Sequence, residues 1–423
     1  GCLLIWQDGE VRIERYWSLD FKNKIDLNEK EACERSIQLL REAVRVRLMS
    51  DVPLGAFLSG GIDSSAVVAL MCEQSSERVK TFSIGFGERD FSEIAHARRV
   101  AERFGTDHHE FIVRPDAIEV LPLLVRHYGE PYADSSAIPT YYLSKMTRQH
   151  VTVALNGDGG DECFGGYERY AAMRIAERYS RLPRLLKQHA IEPVVAALPE
   201  AGATRSRMGK ARRFLSVMSR PSGERYLRWT SAINEEMKQE LCTSEFLQTA
   251  GPGGSLAYLA PWFAGNGGID IVDKALAADT ASYLPNDLLV KVDIASMAVS
   301  LEARSPFLDH HVMEFAASLP ASMKVRRLTT KYLLKEALKG LLPQENLTRS
   351  KMGFGVPIGH WLRGELKDFA ASIILSEGAM RRGYFKPAAV RRLFDSHVEG
   401  RRDHAHQLWT LLMLELWHTE FID

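Results

Sequence analysis

Two runs bring together side chains suited to chemistry on a phosphorylated ligand. The first is LSGGIDSS, Leu58 to Ser65. It follows an apolar run and opens a helical pattern, so the backbone N–H groups of the turn and of the helix start point at one spot. Gly60 and Gly61 allow positive φ and close approach of an anion, and Ser59, Ser64 and Ser65 add hydroxyl donors. Asp63 is out of place in a plain anion cradle, because a carboxylate repels phosphate. A bridging Mg²⁺ resolves the conflict. The run is neither a Walker A loop, which ends in Gly-Lys-Ser/Thr, nor GxGxxG. A bare turn would account for two glycines but not for three serines flanking an aspartate.

The second run is NGDGGDECFGGY, Asn156 to Tyr167, in which Asp158, Asp161 and Glu162 lie among five glycines. Carboxylates on such a loop suit Mg²⁺ or an ammonium group. A solvated acidic turn is the plainer alternative. An EF-hand is excluded, because its Gly at position 6 and Glu at position 12 are not met.

The flanking sequence says how these runs are held. LGAFL (54–58), VKTFSIGF (79–86), HHEFIV (108–113) and VTVALNG (151–157) read as strands. Between them lie helical patterns: IDSSAVVALMCEQ, FSEIAHARRVAERFG ending at Gly105, PDAIEVLPLLVRHYG with Pro115 in its first turn, and IPTYYLSKMTRQH. Alternation of this kind implies an α/β fold, a doubly wound parallel sheet with crossover helices and ligands at the strands' carboxyl ends. From about residue 167 the pattern turns helical and strand signals fade. GPGGS and GNGG, near 251–268, read as loops, and LWTLLMLELW as a buried C-terminal helix. At the other end, LLIW, Asp8-Gly9 and VRIERYW read as a hairpin entered mid-stride, which points to a segment upstream.

Composition narrows the function classes. Lys+Arg and Asp+Glu are both 54, so formal charge is zero. A nucleic-acid binder carries a basic excess or stripe. Arg326-Arg327 and the run from Arg205 to Arg213 read instead as solvated helix faces. Five scattered cysteines (Cys2, Cys33, Cys72, Cys163, Cys242) without CxxC suit a reducing cytosol. No apolar run reaches the roughly 18 residues of a membrane span, and the N-terminus lacks the basic region of a signal peptide. A cytoplasmic location is expected.

SGGIDSS resembles the pyrophosphate loop of the ATP-pyrophosphatase (PP-loop) enzymes. With NGDGGDECFGGY, DLLVKVDIASMAVSLEARSPFLDH (287–310), TTKYLLKEAL (329–338) and SKMGFGVP (350–357), the chain is similar to the asparagine synthetase family from about residue 10 to its end. The resemblance implies an adenine nucleotide alpha hydrolase-like sheet (about 50–165) and a largely helical part completing the site (about 166–423), within a synthetase domain at 26–423. Residues 1–25 would be the hairpin and linker from a glutaminase domain. Cys2 lies in that hairpin and reads as an ordinary hydrophobe rather than a glutaminase nucleophile.

Carried over residue by residue, the resemblance implies that Ser59, Gly60, Gly61, Ser64 and Ser65 hold the pyrophosphate of ATP. Asp63 and Asp161 would bind Mg²⁺. Leu58 and Ile84 would contact adenine through their backbone, and Gly157 would flank nucleotide and substrate. Lys331 would neutralise charge as a carboxylate attacks the α-phosphate, and Asp158 would meet the substrate amine or the attacking ammonia. The implied reaction is ATP-dependent amide formation through an acyl-AMP. Aspartate would be the acceptor, and ammonia would come from a glutaminase domain or a separate glutaminase chain. A homodimer is compatible with the resemblance.

Two departures bear on the acceptor. Asp158 stands where better-known family members have Glu, and ADSSAIPTYY (133–142) lacks the Arg of their aspartate-contacting segment. Asp134, Ser135 and Ser136 remain to line that pocket. A specialised amidotransferase with another acceptor, a relative acting on tRNA and a non-catalytic nucleotide binder are the alternatives. Lys291, Asp293, Glu302, Arg304 and Asp309 read as a buried ion-pair network. The pairs His108-His109, His310-His311 and His404/His406, without Cys or acidic residues at ligand spacing, read as surface or supporting residues.

Overall fold

The computed structural model describes residues 1–86, 93–113, 117–183, 187, 214–215, 217–249, 254–265, 268–349 and 355–423. Its first element is a two-stranded antiparallel hairpin, β1 (Cys2–Gln7) and β2 (Glu10–Arg15), with Leu4 facing Ile13 and Trp6 facing Val11. Asp8 (φ 52°) and Gly9 (φ 83°) form its turn, the backbone that a two-residue hairpin requires. α1 (Glu29–Arg47) then starts at a capping box made by Asn28 and Glu31.

The doubly wound core follows in chain order: β3 (Leu54–Phe57), α2 (Ile62–Gln74), β4 (Lys80–Phe86), α3 (Ile94–Phe104), β5 (Asp107–Val113), α4 (Ala117–Tyr128), α5 (Ala137–Thr147), β6 (Val153–Leu155), α6 (Gly160–Phe164) and α7 (Glu168–Ser180). Pro115 and the Arg205 to Arg213 run lie outside the described residues. The strands pair in parallel, in the order β5, β4, β3, β6, with β7 (Glu302–Arg304) beyond β6. From β3 the chain winds outward through β4 and β5, then returns to lay β6 on the other side. Strand order therefore reverses between β3 and β6, and the crevice at their carboxyl ends is where such sheets bind ligands. Both chemical runs leave from those two strands.

β7 (Glu302–Arg304) is a fifth strand that the sequence pattern does not signal. Three residues reading Glu-Ala-Arg have no strand propensity; they extend because their backbone completes the ladder beside β6. Arg326 and Arg327 are not on a helix face. They sit in a tight turn closed between Arg326 and Thr329, with Arg327 at φ 55°. The GPGGS stretch is loop only in part, because Gly254 and Ser255 begin a helix, Gly254–Phe263. Of GNGG, Asn266 and Gly267 lie outside the described residues.

One buried cluster joins α1 and α2 to the strands and to Phe307, Leu333 and Leu334, which ties the helix after Lys331 to the sheet. Another joins Leu121, Leu124 and Ile138 to Trp361, Leu408, Trp409 and Leu412. The C-terminal helix Ala405–Phe421 is thus buried as its composition implies. No helix among the described residues is long and apolar enough to cross a membrane.

Candidate functional site

The β3–α2 turn is stitched together by its own serines. Ser59 Oγ accepts from the Gly61 N–H (3.2 Å) and lies 3.0 Å from Ser64 Oγ. Gly60 is the residue at positive φ (71°); Gly61 is extended and caps α2. A Cβ on Gly60 would stand 2.3 Å from the backbone of His96, so the approach of α3 leaves no room for a side chain here. Ser65 is fully buried beneath the turn and lines no part of the cavity.

The second loop folds onto the first. A Cβ on Gly160 would lie 2.5 Å from Asp63 Oδ1, and one on Gly157 2.7 Å from the Ser64 nitrogen. The two loops are therefore in contact, and glycine is what allows it. Asp63 and Asp161 converge on one cation: Lys331 Nζ pairs with Asp63 Oδ2 and lies 2.7 Å from Asp161 Oδ1. Lys331 is buried and holds a left-handed backbone (φ 50°), an unusual state for a residue with a side chain. Burial disfavours its charge, but Asp161 and Asp63 outweigh burial and hold its pKa above the ordinary lysine value.

A cavity of about 440 Å³ opens beside this cluster. Leu58, Ile84, Ser59, Gly61, Asp63 and Ser64 line one part, and Asp134, Ser135, Ser136, Gly157, Asp158 and Lys291 another. A narrower pocket of about 110 Å³ continues past Lys331 to Lys335 and Arg349. Hard oxygen donors from two loops, hydroxyls, helix-start amides and four basic side chains thus surround a space at a sheet switch point. That set is suited to a nucleoside polyphosphate.

Comparison with known proteins agrees with the geometry: the asparagine synthase family model matches residues 36–419. The chain belongs to the asparagine synthase family. A glutamine-hydrolysing asparagine synthetase (number 1) of Bacillus subtilis is 33% identical over 416 residues, which cover 97% of this chain and 63% of the relative. A putative glutamine-hydrolysing asparagine synthetase of Mycobacterium bovis is 36% identical over 402 residues, 94% of this chain and 59% of the relative. Amidase chyE of Penicillium rubens is 26% identical over 432 residues, 91% and 62% respectively. The chain spans about three fifths of the length of these curated relatives.

Within this asparagine synthase fold, the structure regroups some residues. Lys291 is not part of one network with Glu302, Arg304 and Asp309. It faces the cavity and pairs with Asp134 at 3.2 Å, whereas Arg304 joins Glu302 and Asp309 joins Arg47 (3.0 Å) elsewhere. His108 bonds Thr81 and Ser83 within the sheet. His406 lines the cavity. His310 and His311 do have an acidic neighbour, since their ligand atoms and that of Asp309 lie within 4.8 Å of one another, but Asp309 is engaged by Arg47. All five cysteines are free thiols.

Three residues escaped sequence reasoning. Lys335 follows Lys331 by one helical turn, so its side chain enters the same pocket. Burial, then the charge of Lys331, lowers its pKa. Arg349 donates to the Ser59 carbonyl (3.3 Å) and pairs with Glu93, and Asn346 donates to the Gly60 carbonyl (2.8 Å). The spacing from Lys331 to Lys335 was a readable signal. Asn346 and Arg349 gave none, because their partners lie 286 and 290 residues away.

Proposed function

We propose that this chain is the synthetase unit of a glutamine-dependent amidotransferase. It activates a carboxylate with ATP as an acyl-adenylate, releases pyrophosphate and delivers the acyl group to ammonia, with the side chain of aspartate as the acceptor to test first. The observation that carries this reading is the convergence of the β3–α2 turn, the acidic loop after β6 and Lys331 on one point at the strand-order reversal. A carboxylate resists ammonia because its leaving group is poor, and adenylation replaces that group with AMP. Leu58, Ile84 and Gly157 would flank the nucleotide. Ser59, Gly60, Gly61, Ser64 and Ser65 would form the pyrophosphate turn, Ser65 by its backbone since its hydroxyl is buried.

Asp63 and Asp161 fit Mg²⁺ by their chemistry: two hard carboxylate donors drawn together where the glycines leave no Cβ between the loops. The ion would neutralise phosphate charge. Lys331, fixed between the same carboxylates, supplies a buried positive charge where pyrophosphate charge grows, a preorganised stabiliser that needs no rearrangement during reaction. Lys335 and Arg349 extend that positive surface along the leaving group's path. Asp158 lines the acceptor side, suited to receive a proton from attacking ammonia.

Ammonia would arrive from a glutaminase domain or chain, as the names of two relatives suggest. The outer face of the β1–β2 hairpin is the surface best suited to such a partner. Leu4, Trp6, Val11 and Ile13 share that face, with Trp6 70% and Ile13 67% exposed. The zero net charge and the acidic loop speak against an RNA acceptor. The test is pyrophosphate release from Mg·ATP and an ammonium salt with aspartate and a panel of other carboxylates. Release with aspartate matched by asparagine supports the reading. Release only with another acid moves the chain to a specialised amidotransferase, and no release with any acid refutes the reading.

A further inference from the structure

On the acceptor side of the cavity the wall carries a salt bridge that nothing in the adenylation chemistry uses. Asp134 Oδ1 accepts from the Ser136 N–H (2.9 Å) and the Ser136 hydroxyl (2.8 Å), and Oδ2 faces Lys291 Nζ at 3.2 Å. Lys291 projects from the helix Leu289–Met297 and is only 8% exposed. Both side chains line the same cavity as Asp158. Asp158 and Asp287 add to the negative field around Lys291. The backbone beneath is held without the pair, since Tyr128 and Tyr132 donate to the carbonyls of Lys291 and Asp287. An ion pair placed only to lock two elements has no need to open onto a ligand cavity, and burying it costs desolvation on both partners.

Opposite charges side by side in a cavity wall are the complement of a zwitterion. We propose that Asp134 and Lys291 read the amino-acid end of the acceptor, Asp134 taking its α-ammonium and Lys291 its α-carboxylate. This inference rests on the amidation reading above and names the residues that select its acceptor. Ser136 keeps Asp134 in place when the acceptor parts it from Lys291. The side-chain carboxylate is left pointing past Asp158 toward the nucleotide part of the cavity. Each contact is a hydrogen bond between charged groups, the strongest kind the side chains make.

The experiment compares aspartate, succinate (no α-amine) and β-alanine (no α-carboxylate) in ammonium-dependent pyrophosphate release. Wild type is expected to prefer aspartate over both by on the order of 10- to 100-fold in kcat/KM, the weight of one charged hydrogen bond. Asp134→Asn removes the preference over succinate alone, and Lys291→Met the preference over β-alanine alone, with KM for ATP moved less than about twofold. Lys291→Arg, which keeps the charge, restores the preference over β-alanine. Equal losses on all three acceptors in both variants would make the pair structural and overturn the inference, as would a wild type indifferent to the three. If no acid triggers release, the amidation reading falls by itself. Equilibrium dialysis of labelled aspartate then still decides the pair. Weak competition by succinate and β-alanine upholds it; competition equal to aspartate's own sinks it.

Discussion

Gly166→Ala tests whether the contact between the acidic loop and Lys331 sets the chemistry. Gly166 is outside the left-handed region, so alanine suits its backbone and the perturbation is purely one of space. The new Cβ would lie 1.7 Å from Asp161 Oδ1 and 2.4 Å from Lys331 Cε, where real Cβ contacts do not fall below 3.0 Å. Asp161 must therefore retreat by at least 1.3 Å, and its 2.7 Å ion pair with Lys331 cannot survive unchanged. Misplacement of a catalytic group by about 1 Å costs on the order of 10²-fold in rate, or about 2.7 kcal/mol of transition-state stabilisation. Overpacking costs a further 1–3 kcal/mol or so of fold stability, which an unfolding curve reads separately from the rate. The assay is pyrophosphate release with Mg·ATP, ammonium and saturating acceptor, alongside a urea unfolding curve. Gly400→Ala serves as control: its φ is 73° but nothing lies within 4 Å, so it strains the backbone without touching the site. A Gly166→Ala enzyme within about threefold of wild type would refute the idea that these crowded carboxylates fix Lys331 in its working position.

Two further outcomes follow from the same contacts. Arg349→Met, which removes the charge bonded to the Ser59 carbonyl and paired with Glu93, should weaken product inhibition by pyrophosphate about 10- to 100-fold. AMP affinity should stay as in wild type, and an unchanged pyrophosphate inhibition constant would remove Arg349 from the leaving-group path. Acid unfolding should report Asp134. Burial pushes its pKa up, but Lys291 and the bonds from Ser136 outweigh burial and hold it below the ordinary 3.8. A carboxyl depressed in the folded state contributes stability above its unfolded pKa and loses it as pH falls through the folded value. Asp134→Asn should therefore flatten the acid limb of the urea-midpoint curve as pH falls below about 5, and a limb as steep as wild type's would show the pair to be energetically idle.

Local physics made much of this protein legible in one dimension. Asp8-Gly9 dictates its hairpin because two consecutive positive φ angles suit few other dipeptides. The strand and helix patterns from Leu54 to Leu155 came out as parallel strands with crossover helices, and the glycine–serine turn and the acidic loop fell at strand ends because short-range turn chemistry marks such places. Tertiary structure decided the rest. Lys331 meets Asp63 across 268 residues of chain and Lys291 meets Asp134 across 157. No periodicity records which of several lysines on nearby helices will face a cavity. β7 is a strand only because β6 offers it an open edge. That Gly60 must also leave room for α3 to cross it is visible only in the packed structure. A turn's conformation is set by a few neighbouring residues. The meeting of charges from distant segments is set by how whole layers pack, and that information lies in three dimensions.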